Sequence, residues 1–260
     1  MSPPHGVHGC FYLDACVILA DILQESRYQK RIDKLKKDVH KYNITCYVSN
    51  SVEEECKTKI EKTVDFIDNV LRKTIIIFLE KGPYQQRELD KCKISNEDLH
   101  LLNDAFLTLM KSQSSKKGQS PLMDPIRAIE EYVVIKMEEE IEKNSQITLS
   151  EFIKRITALI LKETTRIKSE FQRLILFEGD YITRSDQKED PLVTAKLVQS
   201  AKIHYDDAVH ISIVASHKKE KGEAVFLTFD YHSILSKHNE IRKICDVVCC
   251  DPIYGLSYLR

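Results

Sequence analysis

Four acidic residues stand where an apolar strand ends or a helix begins. Asp14 directly follows Phe11-Tyr12-Leu13, and Asp207 opens the stretch Ala208 to Ser216. Glu55 lies a short way into the helix that follows Tyr47-Val48, and Asp230 lies two residues beyond Leu227-Thr228. The carboxyl ends of parallel strands converge on one edge, where sites form. Carboxylates gathered there repel one another unless a cation neutralises them. Oxygen ligands favour Mg²⁺ or Mn²⁺, and such ions activate water against a phosphodiester. Three of the acids also have a plainer reading, and Asp14, which interrupts a strongly apolar stretch, is less easily dismissed. Asp207 can be an N-cap, Glu55 part of a solvated Glu53-Glu54-Glu55 face, and Asp230 the start of a turn. Glu54 and Asp206 are adjacent alternatives to Glu55 and Asp207.

These acids need a scaffold, and the hydrophobic pattern predicts one. Cys10 to Leu13 reads as a strand, followed by helical Val17 to Leu23 and a charged helix from Arg27 to Lys41. Ile44 to Val48 is β-branched and aromatic, a second strand. Ser49-Asn50-Ser51 offers N-caps for the helix after it, and Ser51 with Glu54 fits a capping box. Ala224 to Thr228 and Val247 to Cys250 read as further strands. Strands alternating with helices imply a parallel sheet.

The middle differs. From Val52 to Ala201 the period is helical, with one ambiguous strand at Thr74 to Leu79. Ile126, Ile129, Val133, Met137 and Ile141 share one face. Phe152, Ile156, Leu159, Ile160, Ile167, Phe171 and Leu174 share another. Lys111 to Pro121 and Tyr181 to Pro191 read as polar loops. The expected organisation is a core from 9–60 and 201–260 around a helical insertion at 61–200.

Phe11-Tyr12-Leu13-Asp14-Ala15-Cys16-Val17-Ile18-Leu19 resembles the opening motif of the PIN-domain family. Val48-Ser49 through Glu55 resembles its second motif, Asp207-Ala208-Val209-His210-Ile211 its third, and Phe226-Leu227-Thr228-Phe229-Asp230 its fourth, all in family order. The resemblance covers roughly Gly9 to Lys59 and Ala201 to Leu256, and leaves the middle unexplained. It implies a three-layer α/β/α fold with a central parallel sheet, plus a large all-helical insertion that typical members lack. It also implies a Mg²⁺- or Mn²⁺-dependent ribonuclease acting on single-stranded or flexible RNA. Asp14, Glu55, Asp207 and Asp230 would be the metal-binding catalytic acids. Ser49, Thr228 and Asp206 would support them from behind.

For substrate contact the candidates are Lys30, Lys34 and Lys37 on the basic helix, with Tyr231 and His232 beside Asp230. Lys111, Lys116 and Lys117 form a basic loop. Lys154, Arg155, Lys162, Arg166, Lys168 and Arg173 decorate the later helix among Glu163 and Glu170. His210, on an apolar helix, reads as a hydrogen-bonded core histidine.

Composition sets the outer limits. The 260-residue chain is 42% hydrophobic and 30% charged, as globular proteins are. Its net charge of −1 means that any nucleic-acid binding rests on local patches. No apolar run is long enough for a membrane helix, and no secretory leader is visible. Eight cysteines at irregular spacings suit free thiols in a reducing, cytoplasmic setting. No glycine-rich phosphate loop occurs. A haloacid-dehalogenase-type phosphatase needs an acid where Cys16 stands. The alternative reading is a non-catalytic PIN-like scaffold that binds RNA or a protein. Single-stranded DNA stays open as a substrate, as does a homo-oligomer or protein partner held by the helical region.

Overall fold

Cys10–Leu13 forms β1, and all four of its side chains are buried. Burial on both faces is what a central parallel strand requires. In this computed structural model the described residues are 9–23, 26–81, 90–93, 148–173 and 181–259, with scattered positions between 95 and 143. The fold is α/β. Its five strands are β1, β2 (Thr45–Ser49), β3 (Ile182–Ser185), β4 (Ala224–Leu227) and β5 (Val248–Cys250). They make one all-parallel sheet in the order β3-β2-β1-β4-β5. The chain builds outward from β1 to β3, then returns to add β4 on the other side of β1. That reversal makes the β1–β4 seam the topological switch point of the sheet.

Helices α1 (Ala15–Ile22), α2 (Ser26–Tyr42) and α3 (Asn50–Lys81) follow the first two strands. Later come α4 (Leu149–Phe171), α5 (Pro191–Ser200), α6 (Tyr205–Lys221) and α7 (His238–Cys245). One sheet face carries Cys10, Tyr12, Ala224 and Phe226. It packs against Val193 and Leu197 of α5, Ala208, Ile211 and Ala215 of α6, and Ile241 of α7. The opposite face turns Phe11 and Leu227 toward Gly255, in the 3-10 turn Pro252–Tyr258 that packs on α2.

Two compact units divide the chain. Met1–Lys57 with Glu170–Arg260 form the sheet-bearing unit, and Thr58–Ser169 form the other. Within the second unit, α3 continues as helix through Thr74 to Leu79, so the ambiguous strand there is helical. Phe152 and Ile167 of α4 are buried, as their spacing predicts. Lys93 and Thr148 form an antiparallel bridge. The face from Ile126 to Ile141, the Lys111 to Pro121 loop, Leu174, and the side chains of Ile156, Leu159 and Ile160 lie outside the described residues.

Tyr181 to Pro191 is not simply a loop, because it contains β3. With α5 it belongs to the sheet-bearing unit, so residues 182–200 fall outside the helical middle expected at 61–200. Strand β3 is a short edge strand whose Thr183 and Arg184 are exposed. Four residues with two polar ones outward give little period-2 signal. The cap of α3 falls on the first of the three expected candidates. Ser49 Oγ accepts from the Val52 amide at 3.4 Å, so the cap lies at the strand end and not at Ser51.

A methyl group at Gly255 would lie 2.9 Å from Leu227 Cδ2 and 3.1 Å from Phe11 Cε1. Gly255→Ala should therefore cost about 1–2 kcal/mol, read as a lower midpoint in urea unfolding.

Candidate functional site

Asp14 is fixed by its position between strand and helix. It N-caps α1, and its Oδ1 accepts the Ala15 amide at 2.7 Å. Its own amide donates to the Leu227 carbonyl at 3.0 Å, extending the β1–β4 pairing by one residue. Its Oδ2 accepts the Thr228 hydroxyl at 2.7 Å and the Cys16 thiol at 3.1 Å. Burial alone would raise this carboxyl. Contacts with His210, Thr228 and Cys16 outweigh it and hold the group below the ordinary carboxylate range.

Thr228 couples two of the acids. Its hydroxyl donates to Asp14 and accepts the Asp230 amide at 3.0 Å. Asp230 Oδ1 then accepts the amides of His232 at 3.0 Å and Ser233 at 2.7 Å. The turn reading of Asp230 thus holds locally, while the turn leaves its charge facing Asp207.

Asp207 is not a cap. The N-cap of α6 is His204, and Asp207 sits in the first turn. Burial, then the charges of Asp14 and Asp230 and more weakly Glu55, push its carboxyl up to about 6, against a lowering pull from His210. One carboxyl thus registers the other three acids, and the four share one electrostatic field.

His210 lies one turn after Asp207 on α6 and is 3% exposed. Its Nδ1 is 3.8 Å from Asp14 Oδ1, and its Nε2 is 3.8 Å from Glu55 Oε2. These are ion-pair separations, too long for hydrogen bonds. Nδ1 has no hydrogen-bond partner, so His210 is not the satisfied core histidine expected from the sequence. Burial disfavours its charged form, but Asp14, Glu55 and Asp207 outweigh burial and raise its pKa.

The three consecutive glutamates separate by helical angle. Glu55 faces His210, Glu54 is exposed, and Glu53 pairs with Arg184 of β3 at 2.5 Å. The site therefore takes Glu55 and not Glu54. Asp206 is exposed beside His204, 3.7 Å away, and does not join the cluster. Ser49 is buried as the α3 cap, bonded to Ser51, and supports the helix carrying Glu55 rather than a carboxylate.

The expected substrate residues disperse. Lys30 and Lys37 are exposed on α2, whereas Lys34 pairs with Asp38. Tyr231 is 51% exposed and donates its hydroxyl to Asp251. His232 is exposed. On α4, Arg155 pairs with Glu151, while Lys154, Lys162 and Lys168 are exposed. Lys111, Lys116 and Lys117 lie outside the described residues.

Two participants escaped the sequence reading. His210 was detectable from its spacing to Asp207, which puts both on one helix face. Cys16 had no such signal. Its sulfur accepts the Phe229 amide at 3.1 Å and touches Thr228, closing a ring around Asp14. Burial and the Asp14 charge push this thiol well up, which makes it a poor nucleophile.

Among the described residues, no group of three or more His, Cys, Asp or Glu side chains converges as an assembled metal shell. Comparison of the chain with family models, with curated proteins and with solved structures finds no match.

Two tests follow from this geometry. Thr228→Val keeps the volume but strips Asp14 of a buried donor, and should cost about 1.5–3 kcal/mol in chemical denaturation. The second concerns pH. A carboxyl raised on folding contributes most below its unfolded pKa, and that contribution is lost as pH rises through about 6. His210, also raised, loses its contribution over the range above its ordinary value. In metal-free buffer the melting temperature should fall from pH 5 to pH 8. Asp207→Asn should remove part of that fall, gaining about 1–2 kcal/mol at pH 8 and about half as much at pH 5.

Proposed function

We propose that this chain is a metal-dependent nuclease that hydrolyses phosphodiester bonds in single-stranded or flexible RNA, with Asp14, Glu55, Asp207 and Asp230 as its catalytic acids. The reading rests on one observation. Carboxylates from separate elements meet at the switch point of a parallel sheet: buried His210 is 3.8 Å from both Asp14 and Glu55, Thr228 ties Asp14 to the Asp230 turn, and Asp207, one helical turn before His210, is pushed up by burial and by these acids. Structural carboxylates are not ordinarily stacked against one another in this way, because their repulsion costs stability.

The donor set suits a hard divalent cation, since all four acids offer oxygen. His210 supplies a local positive charge between Asp14 and Glu55 when protonated. Mg²⁺ or Mn²⁺, when bound, neutralises the acids and polarises water and phosphate. Asp14 would be the fixed ligand, because Thr228, Cys16 and the Ala15 amide leave it little freedom. Asp207 and Glu55, both part-exposed, would meet the cation from the helices. Asp230 would close the site from its turn, with Thr228 holding the turn to β1. The resemblance of the four motifs to PIN domains agrees with this assignment, as does the strand–helix setting of each.

A second reading has its own observation. The acids do not form a tight shell, and His210 already answers part of their charge. A PIN-like scaffold that binds RNA or a protein without turnover would tolerate that arrangement.

Cleavage of a labelled single-stranded RNA in Mn²⁺, wild type against Asp14→Asn, separates the two. The nuclease reading expects cutting that needs Mn²⁺ and drops to background in the variant. Intact RNA with both folded proteins, across several RNA and DNA sequences, would favour the scaffold.

A further inference from the structure

Asp251 follows β5 at the carboxyl edge of the sheet and is 3% exposed. It fastens three things at once. Its Oδ2 accepts from Arg31 of α2 and, at 3.2 Å, from the Tyr231 hydroxyl. Its Oδ1 accepts the Ile253 amide at 3.0 Å and so caps the turn that carries Tyr254. The result is two exposed phenol rings on a rigid base, Tyr231 at 51% and Tyr254 at 58% exposure. Both rings are tied to the same residue, Tyr231 by its hydroxyl and Tyr254 by its amide, which donates to the Asp251 carbonyl at 2.9 Å.

Planar groups continue behind them. Phe229 stacks on Tyr28 with centroids 4.0 Å apart and planes within 8°. The exposed Arg27 lies over the other part of this pair, 4.4 Å from the Tyr28 centroid. Tyr231 is the residue after Asp230 and bonds to Asp251, and Arg31, bonded to the same Asp251, lies 5.8 Å from the Tyr28 ring centroid and 6.0 Å from that of Phe229.

A tyrosine held in place by its hydroxyl, as Tyr231 is, or by its backbone, as Tyr254 is, offers stacking area at small entropic cost. Arg31 is already answered by Asp251, so added charge is limited and stacking dominates. We infer that Tyr231 and Tyr254 form a base-stacking subsite for single-stranded nucleic acid beside the acid cluster. The inference rests on the proposed nuclease function and gives it a substrate preference: unpaired bases over duplex. A stacked base next to Asp230 would draw the adjoining phosphate toward the acids, with Arg27 meeting the backbone further along.

The test is fluorescence anisotropy with full-length Asp14→Asn, which spares the probe from cutting. The probes are a labelled single-stranded RNA, a single-stranded DNA of the same sequence, and duplex RNA. Tyr231→Leu and Tyr254→Leu should each weaken single-strand binding about 10-fold, while Tyr254→Phe and Tyr254→Trp hold it and Tyr231→Phe, which keeps the ring but loses the Asp251 tether, weakens it less than Tyr231→Leu does. Equal losses on RNA and DNA support stacking, which ignores the sugar. Duplex binding should not change. Leucine variants that bind single strands as well as their parent overturn the subsite. If the Asp14-intact protein still cuts RNA in that case, the nuclease reading stands without it. If the protein neither binds nor cuts single strands, both fall together.

Discussion

The hydrogen bond from Thr228 to Asp14 joins the two strands that meet at the switch point. It crosses the β1–β4 seam just beyond the last paired residues, Leu13 and Leu227. Asp14 also caps α1, and Thr228 also holds the Asp230 turn, so one contact orients a helix, a turn and two acids. Because Asp14 is buried, its charge must be answered within the fold. The Thr228 hydroxyl, the Cys16 thiol, the Ala15 amide and the nearby His210 ring provide that answer. Every other acid is then placed relative to a carboxylate held by three hydrogen bonds.

From that fixed point the energetics turn unfavourable by stages. Asp14 is held in its charged form, which loads the pocket with negative charge. Asp207 then enters the same field and is pushed up, while His210 is drawn toward protonation. Helix α6 delivers both of these groups, one turn apart, and its buried face anchors it through Ala208, Ile211 and Val214. The core therefore holds the acids together against their own repulsion. A second carboxylate, Asp251, does comparable work at the β5 end, but with the opposite outcome. Arg31 and Tyr231 satisfy it, and it anchors aromatic rings rather than repelling acids.

Much of this was legible in the residues. The apolar strands at both ends of the chain, and the acids that follow them, gave the parallel sheet and the clustered carboxylates. The motif spacing already favoured Glu55 over Glu54 and Asp207 over Asp206, and in the structure Glu54 and Asp206 are exposed while Glu55 and Asp207 are half-buried among the other acids. Strand β3 was hidden because an edge strand with exposed Thr183 and Arg184 lacks an apolar pattern. Ser49 was legible as one of three cap candidates, and its hydroxyl is the one that accepts the Val52 amide. His210 was assigned to the core by its apolar neighbours, and it is buried. What the pattern did not disclose is that its nearest polar neighbours are two carboxylates from other elements.

The central claim is that the four acids form a single cation-seeking cluster. Titration of Mn²⁺ into the metal-free protein, followed by the loss of free-ion paramagnetic resonance signal at pH 7.5, tests it most directly. The account predicts saturable binding that weakens as pH falls through about 6, where Asp207 takes up a proton, and that Asp14→Asn strongly impairs. Binding that is absent, or that is the same in Asp14→Asn and insensitive to pH, would contradict it.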